Sequence, residues 1–102
     1  MFDDGTTSRL SENHYFMTTT TANAGPVMAH MEMLLQTAWQ ELRVHLTSVS
    51  DQWAGIAVAG PKSRELLSAL GTDIDMSDEA FPFMGVRAVS YTHLTLPTIV
   101  GV

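Results

Sequence analysis

The sequence contains no cysteine, and its five lysines and arginines are outnumbered by eleven aspartates and glutamates. The absence of cysteine excludes disulfides, thiolate catalysis and cysteine-based metal sites in this chain, and it indicates a cytoplasmic protein. With a net charge of −6, the chain lacks the clustered positive charge that binding to a nucleic acid or an anionic membrane requires. No apolar run approaches the roughly 20 residues that span a bilayer, so we expect neither a nucleic-acid nor a membrane partner.

The length and apolar content of the chain set the scale of its fold. With 102 residues, of which 45% are apolar, it accommodates one domain or a piece of one, with a small core. The apolar pattern predicts an α/β (α+β) fold in the order β-hairpin–α–β–β–α. The predicted elements are a hairpin around the polar turn at residues 11–14, a helix from a cap at Asn23 to about Leu42, strands at residues 43–50 and 53–59, and a helix at residues 62–70 with Gly71 as its C-cap.

The register of the hairpin decides which polar side chains share a face. A three-residue loop sets Leu10 opposite Phe16, and Asp4, Thr18 and Thr20 then project to one side. A two-residue loop puts Asp4 and Thr18 on opposite faces. We favour the first register because it pairs two apolar residues at the closed end and leaves a polar wall at the open end.

Histidines and carboxylates do not have metal-binding spacing in this sequence. His14, His30 and His45 are predicted on a turn, a helix and a strand, without HxxxH or HxH spacing. The acidic loop at residues 72–79 is similar to part of a calcium loop, but it lacks the glycine at the sixth place and the glutamate at the twelfth. We therefore predict no metal site.

Three segments, in order along the chain, carry a resemblance to a known family. They are DDGTTSRLSENHYFMTTTT from Asp3, TSVSDQWAGIAVAGP from Thr47 and FPFMGVR from Phe81. Together they resemble the folate-binding domain of the alpha subunits of heterotetrameric sarcosine oxidases, a domain of the glycine-cleavage T-protein (aminomethyltransferase) type. The same motifs leave open a glycine-cleavage aminomethyltransferase, a dimethylglycine dehydrogenase-type folate domain and a non-catalytic folate-binding protein of the same fold.

The resemblance implies an enzyme that oxidises sarcosine to glycine and captures the one-carbon unit as 5,10-methylenetetrahydrofolate. Tetrahydrofolate would bind to this domain, and FAD, FMN and NAD would bind elsewhere in a hetero-oligomer with the other subunits. By the family's pattern, the second acid of the pair, Asp4, lies against the pterin and is the catalytic residue. Thr18 and Thr20 line the same pocket, and Asp3 is a further candidate for folate binding. A carboxylate there can hydrogen-bond the folate and hold a proton while an amine attacks the one-carbon unit.

The end of the chain resembles something other than a protein family. From Val89 to Thr98 it is similar to the translation of a transposase-based sequencing-library adapter. We therefore expect residues 1–88 to be a partial folate-binding aminomethyltransferase-like domain and residues 89–102 to be a non-native tail. A later Tyr/Phe-Thr-Gly-Glu motif of the family, which also contacts folate, would lie beyond residue 88, and Met1 would be internal to the domain. The chain alone is thus expected to be inactive, although the parent protein is an enzyme.

Overall fold

The computed structural model describes residues 2–70, 74–90 and 97–101 of the chain. The fold is mixed α/β, which confirms the predicted class, and the chain divides into two compact units, Met1–Gly55 and Ile56–Val102. The first unit contains β1 (Thr7–Ser11), β2 (His14–Met17) and α1 (Ala24–Gln36), with 3-10 turns at Thr21–Asn23 and Ser50–Gln52. The second unit contains α2 (Ser63–Ala69), β3 (Val86–Ser90) and β4 (Pro97–Gly101). Each unit has one antiparallel two-stranded sheet.

The β1–β2 hairpin is present as predicted, but a bulge changes its register. The pairs are Ser11 with His14 at the turn and then Arg9 with Tyr15, Ser8 with Phe16 and Thr7 with Met17. The predicted pairing of Leu10 with Phe16 is wrong, because the irregularity between Arg9 and Ser11 leaves Leu10 as the extra residue of the bulge. A two-residue loop alone would put the side chains of the two strand ends on opposite faces. The extra residue shifts the pairing by one position, so Thr6 and Thr18 still lie opposite each other, with their hydroxyl oxygens 2.8 Å apart.

Helix α1 begins after Asn23 as predicted, but it ends at Gln36 and not near Leu42. The hydroxyl of Thr37 donates to the carbonyl of Met33 at 2.7 Å, and that carbonyl is the one that a continuing helix would offer to the Thr37 N–H. The Thr37 N–H donates to Leu34 instead, and its backbone leaves the helical region at φ −123° and ψ −72°. Turns follow as far as Glu41.

The two strands predicted at residues 43–50 and 53–59 are wrong. Within the described part of the chain these segments form no strand, and Ser50–Gln52 is a 3-10 turn. Their apolar composition does favour extended backbone, which Trp53 adopts at φ −130° and ψ 142°. A strand also needs hydrogen bonds to a neighbouring strand, however, and composition alone does not supply them. The Trp53 ring packs against Phe16 instead, with ring centroids 5.3 Å apart.

The second unit is built around two buried side chains. Among residues 2–70 and 74–88 only Met76 and Phe81 are buried, with exposed fractions of 6% and 0%. Helix α2 agrees with its prediction to within one residue at each end, and its Arg64 donates to the carbonyl of Met76 at 2.9 Å. The Phe81 N–H donates to the carbonyl of Ser77 at 2.8 Å, which folds this segment back on itself.

Several predictions concern residues near the gaps in the described chain. Gly71 as the cap of α2 and the first acid of the acidic loop, Asp73, lie outside the described residues, as do residues 91–96 and 102 of the predicted tail. The predicted domain boundary after residue 88 falls within β3, which pairs with β4 from Val86–Gly101 to Ser90–Pro97. The division into residues 1–88 and 89–102 stays a prediction.

Candidate functional site

Asp3 joins the open end of the hairpin to the start of helix α1. The Thr20 N–H donates to Oδ2 of Asp3 at 2.8 Å, and the Thr20 hydroxyl donates to Oδ1 and Oδ2 at 3.0 and 3.2 Å. Asn23, the residue that precedes α1, donates from Nδ2 to Oδ1 at 3.2 Å instead of capping the helix with its side chain. We call these three residues, Asp3, Thr20 and Asn23, the Asp3 clasp.

The clasp lowers the pKa of Asp3 below its ordinary value of 3.8. The main cause is the Thr20 N–H, which stabilises the charged carboxylate; partial burial opposes this effect. The backbone N–H of Asp4 and the side chains of Asn23 and Thr20 lower the pKa of Asp3 further. Asp3 is therefore a charged acceptor at neutral pH, and its donors come from the chain itself.

A second contact ties the N-terminal segment to helix α1. The ring of Phe2 stacks on the ring of His30, with centroids 5.0 Å apart and an angle of 17° between the planes. Phe2 directly precedes Asp3, so this stack and the clasp hold neighbouring residues against the same helix. His30 therefore has a packing contact with the N-terminal segment.

Asp4 differs from Asp3 in that its carboxylate is open to solvent. Its Oδ1 accepts the N–H of Gly5 at 2.9 Å, and across the described ranges this is its one hydrogen bond within the chain. Oδ2 is consequently available to a donor from outside. Of the two acids, Asp4 is the one that can receive a ligand without breaking an existing bond.

Thr18 lies on the hairpin opposite Thr6. Its hydroxyl oxygen accepts the Thr6 N–H at 3.1 Å and lies 2.8 Å from the Thr6 hydroxyl. Two hydroxyls that share one hydrogen bond leave one O–H free to donate. The approach is close at Gly5 as well, where a Cβ would lie 2.0 Å from the carbonyl oxygen of Thr18, so the position requires glycine.

The structure thus brings the four predicted site residues to one end of the hairpin, but with different partners from those expected. The direct contact is between Asp3 and Thr20, and no described hydrogen bond joins Asp4 to Thr18 or Thr20. The folate-binding roles of all four stay predictions. Sequence reasoning missed Asn23 as a member of this end of the hairpin, because its position before a helix already explained it as a cap.

Other parts of the molecule offer less for a ligand. Across residues 2–70, 74–90 and 97–101, no three or more histidine or acidic side chains are grouped so that they could hold a metal ion. An open cleft of about 430 Å³ in the second unit is lined by residues 58–63 and Leu66 and contains none of the predicted site residues. No helix in the described ranges combines the length and apolarity needed to cross a membrane.

Comparison with known proteins gives one family and two kinds of relative. The family model of the GCVT N-terminal domain matches residues 1–100. The chain is 54% identical to sarcosine oxidase subunit alpha of Rhizobium meliloti and 46% identical to that of a Corynebacterium, in each case over 90 residues, which are 88% of this chain. It is 36% identical to the aminomethyltransferase of Thermus thermophilus over 77 residues, which are 76% of this chain and 21% of that protein. The chain spans only 9% of the length of the two sarcosine oxidase relatives.

Proposed function

The chain belongs to the family of the GCVT N-terminal domain, and from this membership we propose that it is part of the folate-binding domain of a sarcosine oxidase subunit alpha. The observation that carries the proposal is the difference in identity: 54% to a sarcosine oxidase subunit alpha against 36% to an aminomethyltransferase. The parent enzyme would oxidise sarcosine to glycine in the cytoplasm. It would use FAD, FMN and NAD bound elsewhere in a complex with its other subunits.

The residues at the open end of the hairpin fit a reduced folate. A pterin ring carries N–H donors, and the exposed Asp4 offers Oδ2 of a charged carboxylate, whose hydrogen bonds are stronger than those of neutral acceptors. The Thr6–Thr18 hydroxyl pair offers one free O–H. The Thr20 hydroxyl, whose hydrogen points to Asp3, offers only an acceptor. These groups supply both hydrogen-bond donors and hydrogen-bond acceptors within one short stretch of the hairpin.

The same residues suit the transfer of a one-carbon unit. When bound, tetrahydrofolate supplies the amine nitrogens that take up this unit. Protons from these amines would have to reach the departing amine of glycine. Asp4 acts as the base that accepts a proton at Oδ2 and passes it to glycine, and Thr18 orients the ligand.

A chimeric subunit tests the proposal. The 90 matched residues of this chain replace the corresponding segment of the Rhizobium meliloti subunit alpha, which is assembled with its other subunits. Titration calorimetry should show saturable binding of tetrahydrofolate, and Asp4→Asn should weaken that binding by roughly tenfold or more, because it removes a charged acceptor.

The matched control is Asp51→Asn, which removes the same charge from an exposed position in the 3-10 turn Ser50–Gln52. The proposal fails if the unaltered host subunit binds tetrahydrofolate and the chimera does not. The proposed role of Asp4 is contradicted if the Asp4→Asn and Asp51→Asn chimeras bind tetrahydrofolate equally well.

A glycine-cleavage aminomethyltransferase is the second candidate, favoured by the 36% identity to the Thermus thermophilus enzyme. The same segment can be placed in that host in exchange for its 77 matched residues. We expect the chimera with sarcosine oxidase to retain a larger fraction of its host's activity than the chimera with the aminomethyltransferase. The reverse order would favour the second candidate.

A further inference from the structure

The two neighbouring acids of the hairpin have opposite surroundings. Both oxygens of Asp3 accept hydrogen bonds from Thr20, and Oδ1 also accepts one from Asn23. Asp4 has one bond, from the adjacent Gly5, and is exposed. A carboxylate offers about four lone-pair sites, and three donors of the chain itself, the Thr20 N–H, the Thr20 hydroxyl and the Asn23 amide, already point at those of Asp3. Asp3 is therefore poorly placed to bind a ligand directly.

We propose that Asp3 is a positioning residue, which fixes the backbone that presents the Asp4 carboxylate to folate. This inference rests on the proposed function and assigns different roles to the two acids. Asp4 touches the ligand, whereas Asp3 acts through Asp4 and has no contact with the ligand itself.

The backbone around Asp4 shows why such an anchor is needed. Residues 2–6 are not part of a described strand, so separate contacts and not a continuous ladder of hydrogen bonds fix their position. On the C-terminal side, Thr6 is held because its carbonyl accepts the Thr18 N–H at 2.8 Å. On the N-terminal side, the Asp3 clasp and the stack of Phe2 on His30 hold the chain against α1.

Asp4 and Gly5 thus form a short span between two anchors. Each residue has two soft backbone dihedrals, so two residues between fixed ends have little freedom. If the clasp is removed, only the stack of Phe2 on His30 holds the N-terminal end of this span, and the Asp4 carboxylate loses its defined position. A misplacement of about 1 Å at a site of this kind can cost up to roughly a hundredfold in function.

An exchange of residues tests the inference in the chimeric, fully assembled enzyme. Asp3→Ala removes all acceptors of the clasp and should raise the Kd for tetrahydrofolate by roughly tenfold or more. Asn23→Asp places two carboxylates against each other and should also weaken binding. The double variant Asp3→Asn with Asn23→Asp restores an amide facing a carboxylate, while Asn at position 3 can still accept the Thr20 N–H. Its Kd should return to within about twofold of the unaltered chimera, because a reconstituted pair shows coupling of this kind.

The outcomes separate the two proposals. If the unaltered chimera does not bind tetrahydrofolate although its host does, the proposed function fails, and this inference fails with it. If the chimera binds and Asp3→Ala leaves the Kd unchanged, only the positioning role is overturned. If the exchange does not rescue binding, position 3 needs its charge for the ligand itself, and the positioning role is again overturned.

A milder variant covers the case in which Asp3→Ala fails to assemble. Asn23→Ala removes a single donor of the clasp and makes no change to a helix-capping bond, because the Asn23 side chain makes none. We expect it to raise the Kd about threefold, a loss near the net value of one hydrogen bond. A Kd equal to that of the unaltered chimera would overturn the inference.

Discussion

Asp3 and Thr20 lie seventeen residues apart in the chain, and Thr20 donates both its backbone N–H and its hydroxyl to the Asp3 carboxylate, at 2.8 and 3.0 Å. Two donors from one residue fix the orientation of the carboxylate as well as its distance. The open end of the hairpin is thereby tied to the entry of α1, which begins four residues later at Ala24. This contact leaves the neighbouring Asp4 as the acid that faces solvent.

The clasp should open in acid. Because the fold lowers the pKa of Asp3 below 3.8, the clasp contributes stability above that ordinary value and loses it as the pH falls through the lowered pKa. The amide proton of Thr20, followed by NMR in the 102-residue chain, should shift with a midpoint below pH 3.8. Asp3→Asn should abolish the step.

Two other titratable groups lie near the clasp. Asp4 follows Asp3 in the chain, and His30 stacks on Phe2. Repeating the titration in Asp4→Asn and His30→Gln variants therefore separates their influence from that of Asp3. A midpoint at or above 3.8 in the unaltered chain would contradict the hydrogen bonding of the clasp.

Gly5→Ala should loosen the hairpin, whereas Gly25→Ala should not. A Cβ at Gly5 would lie 2.0 Å from the backbone oxygen of Thr18, so the chain would have to shift, at a cost on the order of 1–3 kcal/mol. A Cβ at Gly25 in α1 meets nothing within 4 Å, and alanine there should stabilise the helix by up to about 1 kcal/mol. Hydrogen exchange of the Thr18 amide should be roughly fivefold faster or more in Gly5→Ala only. Equal exchange in both variants would show that Gly5 is not tightly packed.

Arg64 should matter more than its ion-pair partner Asp78. The pair has a distance of 3.0 Å, but the Asp78 side chain is 90% exposed, so Asp78→Asn should cost less than about 0.5 kcal/mol. Arg64→Ala also removes the hydrogen bond to the carbonyl of the buried Met76 and should cost about 1–2 kcal/mol. The rate of hydrogen exchange at the Phe81 amide, which donates to the Ser77 carbonyl, measures the loss of stability in both variants. A larger effect for Asp78→Asn would mean that the ion pair dominates.

Met84→Gly should stabilise the turn that precedes β3. Met84 has a φ of 67°, which is unfavourable for a residue with a Cβ, and the residue is 77% exposed, so little packing is lost. Relief of this strain exceeds the added entropy of glycine in the unfolded chain, for a net gain of roughly 0.5 kcal/mol. The Gly85 amide, bonded to the Pro82 carbonyl at 2.9 Å, should exchange more slowly. The control Phe83→Gly, at an exposed residue without positive φ, should have the opposite effect.

Local pattern predicted the elements that local interactions build. The hairpin and helix α2 follow from β-branched runs, a polar turn and an apolar helix face, all of which lie within a few residues of one another. The end of α1 was missed because a single hydroxyl, that of Thr37, competes for a backbone carbonyl. The strands at residues 43–50 and 53–59 were mispredicted because strand formation depends on a neighbour as well as on composition.

The sequence predicted that the four candidate residues lie at one end of the hairpin, but it did not predict their contacts. Alternation along a strand placed Asp4 with Thr18 and Thr20, but residues 2–6 are not in a described strand, so that rule does not govern where Asp3 and Asp4 point. The bulge at Leu10 carries no marker such as glycine, so the register could not be deduced from the sequence. The family resemblance pointed to residues at this end of the hairpin without indicating that Asp3 binds Thr20.

The most direct test of the folate assignment is the fate of the one-carbon unit in the chimeric sarcosine oxidase supplied with tetrahydrofolate. An oxidised N-methyl group that is not captured is hydrolysed to formaldehyde, so the ratio of methylenetetrahydrofolate to formaldehyde reports capture alone. We predict that the chimera forms methylenetetrahydrofolate and that Asp4→Asn shifts the ratio by roughly tenfold or more towards formaldehyde, while Asp51→Asn leaves it unchanged. The same ratio in the Asp4→Asn and Asp51→Asn enzymes would contradict the role of this hairpin in folate chemistry.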